Sequence, residues 1–356
     1  MARAITKAAL MVAKDPGSSS ISQPIDEPLQ FKSILRPQVW GGSLLVEQFG
    51  KAGETSIPIG ESWEISGLPE NASVVANGTF AGRTLAELWQ QDVAGERKQT
   101  PTFPLFVKWL DCRGELSVQV HPNDKIAGEM LGHASGKSEA WIVVHAEPTA
   151  RVYAGVKEGV TEQELVSRLD SGTVAECLHS FIPQVGDCIS LPAGTIHSAG
   201  GGVVFAEVQQ PSDVTFRLFD WNRLGLDGQP RQLHREMALK SITWPQGPVW
   251  PCVPRQIMSA PGCRCESLLR TADFDLERYT LQSTISLPRQ GEMTIWMVLG
   301  GAAILDQPGQ GSQLRLERGS TILMPPGVRN TKWSAAEAGK SCQLLCVRLP
   351  QVPQED

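Results

Sequence analysis

The segment Gly186–His197 has the sequence GDCISLPAGTIH, and it decides the fold because its pattern recurs later in the chain. The second copy is Gly319–Asn330, with the sequence GSTILMPPGVRN. Both segments read glycine, five residues, proline, any residue, glycine, two residues and then a polar side chain. Short apolar runs bounded by Gly and Pro are typical of β-strands. The repeat therefore predicts one β-rich unit used twice.

A second match extends the repeat. Trp141–Val144 aligns with Trp296–Leu299 at an offset of 155 residues, whereas His197 and Asn330 are 133 residues apart. The two offsets differ by 22, so the first copy is expected to carry an insertion of about that size.

The insertion is assigned to residues 157–181 and is expected to be helical. Thr161–Glu164 resembles a helix-capping box, and apolar residues follow it at helical spacing. A second short helix is expected over Thr173–Phe181. Further helices are predicted over Thr84–Gln91, Asp124–Leu131 and His234–Ser241.

The rest of the chain predicts a mainly β protein with two lobes, because short strands of Val, Ile, Leu, Phe and Trp alternate with Gly and Pro. Residues 1–27 are expected to be a disordered extension, because they are basic and rich in Ala and Ser near the start. The first lobe is assigned to 28–244, a Pro-rich linker to 245–254 and the second lobe to 255–350.

Composition excludes several classes of partner. The 356 residues carry 38 acidic and 32 basic side chains, a net charge of −6, without a long run of Lys and Arg, so no nucleic-acid partner is expected. Every apolar run is shorter than the roughly 18 residues needed to cross a bilayer, so no membrane partner is expected. The eight cysteines are scattered without a two-residue-spaced pair, which favours free thiols and a cytoplasmic location.

Four side chains of the first copy form a candidate metal pocket. Gln119 and His121 lie two residues apart in an expected strand, so they point to the same face. Glu139 and His197 follow in the next motifs along the chain. Two imidazoles, a carboxylate and an amide are a plausible donor set for one divalent metal ion.

The second copy lacks this donor set. Thr294 stands at the position that corresponds to Glu139, and Asn330 stands at the position of His197. Because two donors are replaced together, the active site is predicted in the first lobe alone, and the second lobe is predicted to be degenerate.

The spacing around His197 matches the second half of the cupin signature. The motifs on either side are Gly60–Glu64, Phe103–Lys108, Gln119–Asp124, Gly136–Trp141, Pro192–His197, Glu207–Gln210 and Phe216–Trp221. Together they resemble the zinc-dependent mannose-6-phosphate isomerases of type I, in their shorter bacterial form. The resemblance covers roughly Leu29–Ser241.

This resemblance implies jelly-roll, cupin-like barrels and a zinc enzyme that interconverts D-mannose 6-phosphate and D-fructose 6-phosphate. It implies that His121, Glu139 and His197 bind one Zn²⁺ per chain, with Gln119 beside the metal. Arg217 falls on the active-site arginine of the family. The partner it implies is a small sugar phosphate.

Aldose–ketose exchange moves a proton between adjacent carbons and leaves negative charge on enediolate oxygens. Arg217 has a planar cation suited to stabilising that charge. Lys137, two residues before Glu139, is assigned to phosphate binding or proton transfer, and Ser117 to substrate binding. The general base stays open among Lys137, a water on the metal and another carboxylate such as Glu207.

Two alternatives remain at this stage. The chain could be a non-catalytic sugar-phosphate-binding module, or a metal cupin of another enzymatic class such as an iron oxygenase. The sequence makes no prediction of oligomeric state.

Overall fold

The computed structural model describes residues 25–91, 100–132, 135–286, 290–307 and 312–350. The mainly β prediction is confirmed, since strands form most of the regular structure. None of the helices in these ranges is long and apolar enough to span a bilayer. The predicted extension, residues 1–27, overlaps the described chain only at 25–27, and its other residues lie outside it. There Ile25 is buried and the Asp26 carbonyl accepts a hydrogen bond from Gln307.

The strands are β1 (Leu29–Gln30), β2 (Ile34–Gly42), β3 (Ile59–Ser66), β4 (Phe106–Cys112), β5 (Val118–Val120), β6 (Glu139–Ala146), β7 (Arg151–Val156), β8 (Leu178–Phe181), β9 (Cys188–Leu191), β10 (His197–Gly200), β11 (Val203–Gln209), β12 (Phe216–Phe219), β13 (Arg255–Ala260), β14 (Cys263–Arg270), β15 (Asp275–Leu281), β16 (Thr294–Gly300), β17 (Ala303–Gln307), β18 (Ser312–Leu316), β19 (Thr321–Met324), β20 (Lys332–Ala335) and β21 (Cys342–Arg348). The helices are α1 (Leu44–Glu47), α2 (Leu85–Gln90), α3 (Asp124–Leu131), α4 (Glu162–Ser171) and α5 (Arg235–Ser241). Short 3-10 turns lie at Pro69–Asn71 and Val174–Glu176.

These strands form four sheets. A six-stranded sheet has the order β2-β3-β4-β11-β6-β9, and a five-stranded sheet has the order β12-β5-β10-β7-β8. A seven-stranded sheet has the order β1-β19-β16-β21-β15-β14-β13, and a three-stranded sheet has the order β18-β17-β20. The pairings are antiparallel, for example β4 with β11 and β15 with β21.

The predicted repeat has a counterpart in this topology. In the six-stranded sheet the order is β2-β3-β4-β11-β6-β9, and in the seven-stranded sheet, read from its other edge, it is β13-β14-β15-β21-β16-β19. In both orders three consecutive strands are followed by the strand that comes last along the chain and then by two earlier strands, so the connectivity is the same. The register also matches, because Glu139 pairs with Leu191 in one sheet and Thr294 pairs with Met324 in the other. Apart from β1, each described strand pairs only with strands of its own range, 28–244 or 255–350. We therefore propose the predicted two-lobe division.

The opening glycine of each repeated segment has the same backbone conformation. Gly186 has φ of 98° and Gly319 has φ of 90°. A Cβ on Gly319 would lie 2.4 Å from the Phe49 carbonyl oxygen, and the left-handed φ already disfavours other residues. This turn explains why both segments start with Gly.

The six- and seven-stranded sheets pack face to face through one large apolar core. Ile142 of β6 and Trp109 of β4 share this core with Met297 of β16 and Leu345 of β21. The Trp109 indole also donates a hydrogen bond to the Thr321 hydroxyl, at 3.2 Å. The opposite face of the six-stranded sheet packs toward the five-stranded sheet. The candidate site lies between these two sheets.

Helices cover the outer face of the five-stranded sheet. Leu165 of α4 and Ala238 of α5 pack with Val118 and Val120 of β5. The predicted helices at Thr84, Asp124 and His234 are confirmed, and Thr84 caps α2 with a complete capping box.

The second helix predicted in the insertion is wrong. Only the 3-10 turn at Val174–Glu176 is helical, and Leu178–Phe181 is strand β8, which pairs with β7. Backbone hydrogen bonds to the open edge of β7 outweigh the weak helical pattern of this segment.

Two segments cross the predicted domain boundaries. β1 lies in the range assigned to the first lobe but pairs with β19 of the second. The predicted linker, 245–254, runs along the first lobe, where the Val249 amide donates to the Ala154 carbonyl and the Cys252 amide to the Cys188 carbonyl. All eight cysteines are free, as expected from their spacing.

Candidate metal centre

Strand alternation brings the predicted ligands into the space between the two sheets. In β6, Ala140 and Ile142 enter the core shared with the second lobe, so Glu139 and Trp141 point the other way. In β5, Val118 and Val120 pack under the helices, so Gln119 points toward Glu139. His121, Glu139 and His197 are all buried, and their ligand atoms lie within 4.8 Å of one another.

A row of side chains crosses the five-stranded sheet at this point. His197 of β10 pairs with Gln119 of β5, and Gln119 pairs with Arg217 of β12. Neighbouring strands are about 4.8 Å apart, so the row leads outward from the ligand cluster to the edge of the sheet. Arg217 therefore lies beyond Gln119 as seen from His197.

Backbone carbonyls orient both imidazoles in the same way. The Nδ1 of His121 lies 2.8 Å from the Val214 carbonyl oxygen, and the Nδ1 of His197 lies 2.9 Å from the Thr195 carbonyl oxygen. A carbonyl accepts only, so each Nδ1 carries the proton and each Nε2 presents a lone pair. Both Nε2 atoms face Glu139, at 3.4 Å for His121 and 3.2 Å for His197.

The contacts of Glu139 fit a bound cation. Its carboxylate faces two imidazole lone pairs, and neither oxygen accepts a well-formed hydrogen bond from a described residue. Burial alone would raise the pKa of Glu139, but the charge of the adjacent Lys137 outweighs burial and holds the pKa well below its usual range. An ionised carboxylate opposite two nitrogen acceptors is costly without positive charge nearby. Lys137 supplies such charge at Oε2, and a metal ion would supply it between Glu139 and the two Nε2 atoms.

Lys137 is the protein cation closest to this cluster. Its ammonium lies 2.9 Å from Glu139 Oε2 and 3.1 Å from His121 Nε2. Burial, together with the charge of Lys137, lowers the pKa of His121 well below its usual value. His121 is therefore the neutral imidazole that a metal requires.

Gln119 lies beside the ligands with its amide nitrogen toward them. This nitrogen is 3.1 Å from His197 Nε2, and Ser117 donates a hydrogen bond to the Gln119 carbonyl oxygen at 3.3 Å. A half-turn of the amide would direct its oxygen to the cluster. Gln119 as a metal ligand stays a prediction.

A second row of side chains faces the first from the six-stranded sheet. Trp63, Lys108, Glu207 and Trp141 are register partners across β3, β4, β11 and β6. The Trp141 indole donates a hydrogen bond to Glu207 Oε1 at 2.8 Å. Gln119 and Arg217 of the first row and Lys108, Glu207 and Trp141 of the second line one pocket between the sheets.

Lys108 neutralises the acidic side chains of this wall. Its ammonium lies 3.4 Å from Glu61, 3.4 Å from Glu207 and 3.8 Å from Asp213. Burial raises the pKa of Glu207, and the nearby Glu139 raises it further, while Lys108 acts in the opposite direction. Burial also acts to raise the pKa of Glu61, but Lys108 prevails and lowers it.

The pocket between the rows has a volume of about 480 Å³ including its open mouth. Its lining includes the three other predicted site residues, Ser117, Lys137 and Arg217, and Lys137 in turn contacts Glu139 and His121. Burial, with the neighbouring Arg231, lowers the pKa of Arg217. Further lining residues are Gln38, Trp40, Glu61, Lys108, Leu110, Leu116, Gln119, Trp141, Glu207, Asp213, Thr215 and Arg231.

The described part of the second lobe has no donor cluster at the corresponding place. Thr294 is buried and accepts a hydrogen bond from the Trp296 indole at 2.9 Å, while Asn330 is exposed. Among the described residues, His121, Glu139 and His197 are the one group of His, Cys, Asp or Glu with metal-site geometry.

The structure thus places His121, Glu139 and His197 in one buried cluster and the other sequence-predicted site residues in the lining of the adjacent pocket. Their individual roles stay predictions. Sequence reasoning missed Lys108, Glu61 and Arg231. A signal existed for Lys108, because it is a lone cation in the otherwise apolar run Phe106–Leu110. Arg231 had none, because it lies in a polar loop.

The fold and site define a cupin-type β protein with a place for one metal ion. A family model for the catalytic domain of type I phosphomannose isomerases matches residues 29–139. The chain is 32% identical over 284 residues to mannose-6-phosphate isomerase ManA of Bacillus subtilis, covering 77% of this chain and 86% of ManA. This chain belongs to the type I mannose-6-phosphate isomerase family.

Two further similarities extend over most of the chain. The mannose-6-phosphate isomerase of Streptococcus mutans is 30% identical over 312 residues, covering 85% of this chain and 94% of that protein. The crystal structure of the mannose 6-phosphate isomerase from Bacillus subtilis superposes with a TM-score of 0.82 at 27% identity, covering 90% of this chain and 99% of that one.

Proposed function

We propose that this protein interconverts D-mannose 6-phosphate and D-fructose 6-phosphate. Family membership supports the reaction, since relatives at 30% and 32% identity are mannose-6-phosphate isomerases. The observation that carries the proposal is the convergence of His121, Glu139 and His197 in one buried cluster, which Lys137 contacts from a pocket that Arg217 also lines.

We infer that the pocket binds one Zn²⁺ per chain through His121, Glu139 and His197. Two imidazole nitrogens and one carboxylate are a donor set that catalytic zinc uses, with a further position left for substrate. When bound, the ion would act as a Lewis acid toward the sugar oxygens. A neutral His121 and an ionised Glu139 are protonation states that such binding needs, and both agree with the directions of their pKa shifts.

Arg217 is suited to the charge that develops on the enediolate. Its guanidinium makes no hydrogen bond to any described residue, and its Nε is buried without a partner there. A donor held free in this way can bind an oxyanion without first breaking another hydrogen bond. Arg217 would then stabilise the transition state more than the ground state.

Proton transfer between C1 and C2 requires a group that can gain and lose a proton near neutral pH. Lys137 and Glu207 both line the pocket, and burial raises the pKa of Glu207 toward that range. Lys137 lies against Glu139 and His121, which supports a role at the reacting carbons and disfavours phosphate binding. Exchange of the C2 proton with solvent deuterium, measured for Glu207→Gln and Lys137→Met, identifies which side chain carries the proton.

A coupled assay of the purified, zinc-loaded protein tests the proposal. Fructose 6-phosphate formed from mannose 6-phosphate is converted by phosphoglucose isomerase and glucose-6-phosphate dehydrogenase, and NADPH is followed by absorbance. Turnover well above an Arg217→Gln control is expected. Stoichiometric zinc without turnover would instead favour the non-catalytic sugar-phosphate module, and bound iron with oxygen uptake would favour a different class of metal cupin.

The free state of all eight cysteines supports the predicted cytoplasmic location, where thiols stay reduced.

A further inference from the structure

The pocket has an inner and an outer end. His197, Gln119 and Arg217 follow one another across three neighbouring strands, and β12, which carries Arg217, is the edge of the sheet. The end of the pocket at Gln119 and Lys137 is therefore the inner end, next to the candidate metal ligands, and the end at Arg217 is the outer end. A hexose 6-phosphate that reacts at C1 and C2 at the inner end must direct its phosphate outward, because the phosphate is at the opposite end of the molecule.

A loop after β12 brings a second guanidinium to the outer end. The chain turns through a tight loop, in which the Gly225 amide donates to the Gln229 carbonyl, and then returns along the edge strand. On the return the His234 amide donates to the Arg217 carbonyl at 2.8 Å. Arg231, three residues earlier, lines the pocket, and its charge acts on Arg217.

Asp220 fixes the orientation of Arg231. The Nε of Arg231 donates to Asp220 Oδ2 at 2.7 Å, and Nη2 donates to Oδ1 of the same carboxylate. This paired contact leaves Nη1 without a hydrogen bond to any described residue, and the side chain is 18% exposed. A guanidinium held on one edge presents its other edge in a defined direction.

The other cations that line the pocket either contact carboxylates or lie nearer to the candidate metal ligands. Lys108 lies within 3.8 Å of three carboxylates, and Lys137 is held by Glu139 and His121 at the inner end. Arg217 lies next to Gln119 and so next to the reacting carbons. Arg231 is the remaining pocket cation with free donors at the outer end.

We propose that Arg231, oriented by Asp220, is the anchor for the phosphate group of the sugar phosphate. The inference rests on the proposed isomerase function and adds the residue that selects phosphorylated over neutral sugars. Binding energy from this remote contact would hold C1 and C2 at the inner end of the pocket.

The chain offers a matched control for this assignment. Arg223 donates to the same Asp220 carboxylate at 2.9 Å, but it does not line the pocket. Arg231→Gln and Arg223→Gln thus each remove one positively charged partner of Asp220. They differ in whether the lost guanidinium lines the substrate pocket. Arg231→Lys keeps the charge without the paired contact, and it replaces Arg231→Gln if that variant does not fold.

The test measures KM and kcat for mannose 6-phosphate and, separately, calorimetric affinity for a hexitol 6-phosphate, which has no carbonyl group to isomerise. Loss of a hydrogen-bonded charge should raise KM and weaken hexitol phosphate binding by about 10- to 100-fold in Arg231→Gln, with a smaller effect on kcat. Arg223→Gln should stay within about threefold of wild type for both quantities, and circular dichroism verifies that both variants are folded.

Equal KM values and equal hexitol phosphate affinities for Arg231→Gln and Arg223→Gln would overturn the phosphate assignment while leaving the isomerase proposal intact. A loss confined to kcat would overturn it as well. Absence of turnover in wild type would instead overturn the proposed function, and the calorimetric comparison would still decide whether Arg231 binds the phosphate group.

Discussion

Replacing Lys108 by Met isolates the electrostatic role of one buried ammonium. The substitution keeps an unbranched side chain of similar length in β4 and removes the charge. The buried Glu207 and the largely buried Glu61 then face each other's charge without their common counter-ion. The Trp141 indole still donates to Glu207, so that hydrogen bond is unchanged.

The magnitude follows from the distances. Each ion pair at 3.4 Å contributes about 5 kcal/mol at an effective dielectric constant of about 20. Removal of the ammonium from its buried position recovers several kcal/mol of desolvation energy. The expected net loss in free energy of unfolding is therefore about 3–5 kcal/mol, the range for breaking a buried pair on one side.

Urea unfolding followed by tryptophan fluorescence measures this loss, and Lys125→Met is the control. The Lys125 side chain is 82% exposed and lies 4.0 Å from Glu129, so its removal should cost less than about 0.5 kcal/mol. A Lys108→Met loss below about 1 kcal/mol at neutral pH would refute the reasoning.

The pH dependence gives a second check on the same variant. Without Lys108, burial should raise the folded-state pKa of Glu61 and Glu207 above the ordinary value of about 4.3. Such carboxyls destabilise the fold as the pH rises above their unfolded-state pKa, because the folded state then releases protons less readily than the unfolded state. The deficit of the variant should thus be smaller at about pH 4.5 than at about pH 7.5, and a deficit independent of pH would contradict the charge argument.

Three further outcomes are expected. His197→Ala should lower metal content and turnover together, whereas Asn330→Ala should change neither, as checked by elemental analysis of both proteins. Arg217→Gln should keep the metal but lower kcat by about 100- to 1000-fold, and loss of metal would contradict its role in binding the enediolate. Trp141→Phe leaves Glu207 Oε1 without its donor, so thermal unfolding should reveal a loss of about 1–3 kcal/mol, and no loss would mean that solvent replaces the indole.

Most of the strand arrangement could be predicted from the repeated pattern in the sequence. Strands appeared as apolar runs between Gly and Pro, and the offset between repeated segments pointed to the insertion. The misassigned segment Leu178–Phe181 lies at a sheet edge, where pairing with β7 decides its structure. Such pairing depends on residues distant along the chain, and local periodicity does not report it.

The site residues likewise differ in whether the sequence alone could predict them. His121, Glu139 and His197 stand in motifs with fixed spacing, so they could be predicted from the sequence. Lys108 and Arg231 depend on which strands become neighbours, and on a loop that returns along β12. Their roles arise from charges brought together by the fold.

The most direct test of the central claim is the metal content of wild type and of Glu139→Gln, measured by mass spectrometry and compared with isomerase activity. Wild type should bind one equivalent of metal per chain, lose metal and turnover together on chelation, and recover both with Zn²⁺. Glu139→Gln should bind far less metal. Full turnover by metal-free wild type, or full metal occupancy in Glu139→Gln, would contradict the account.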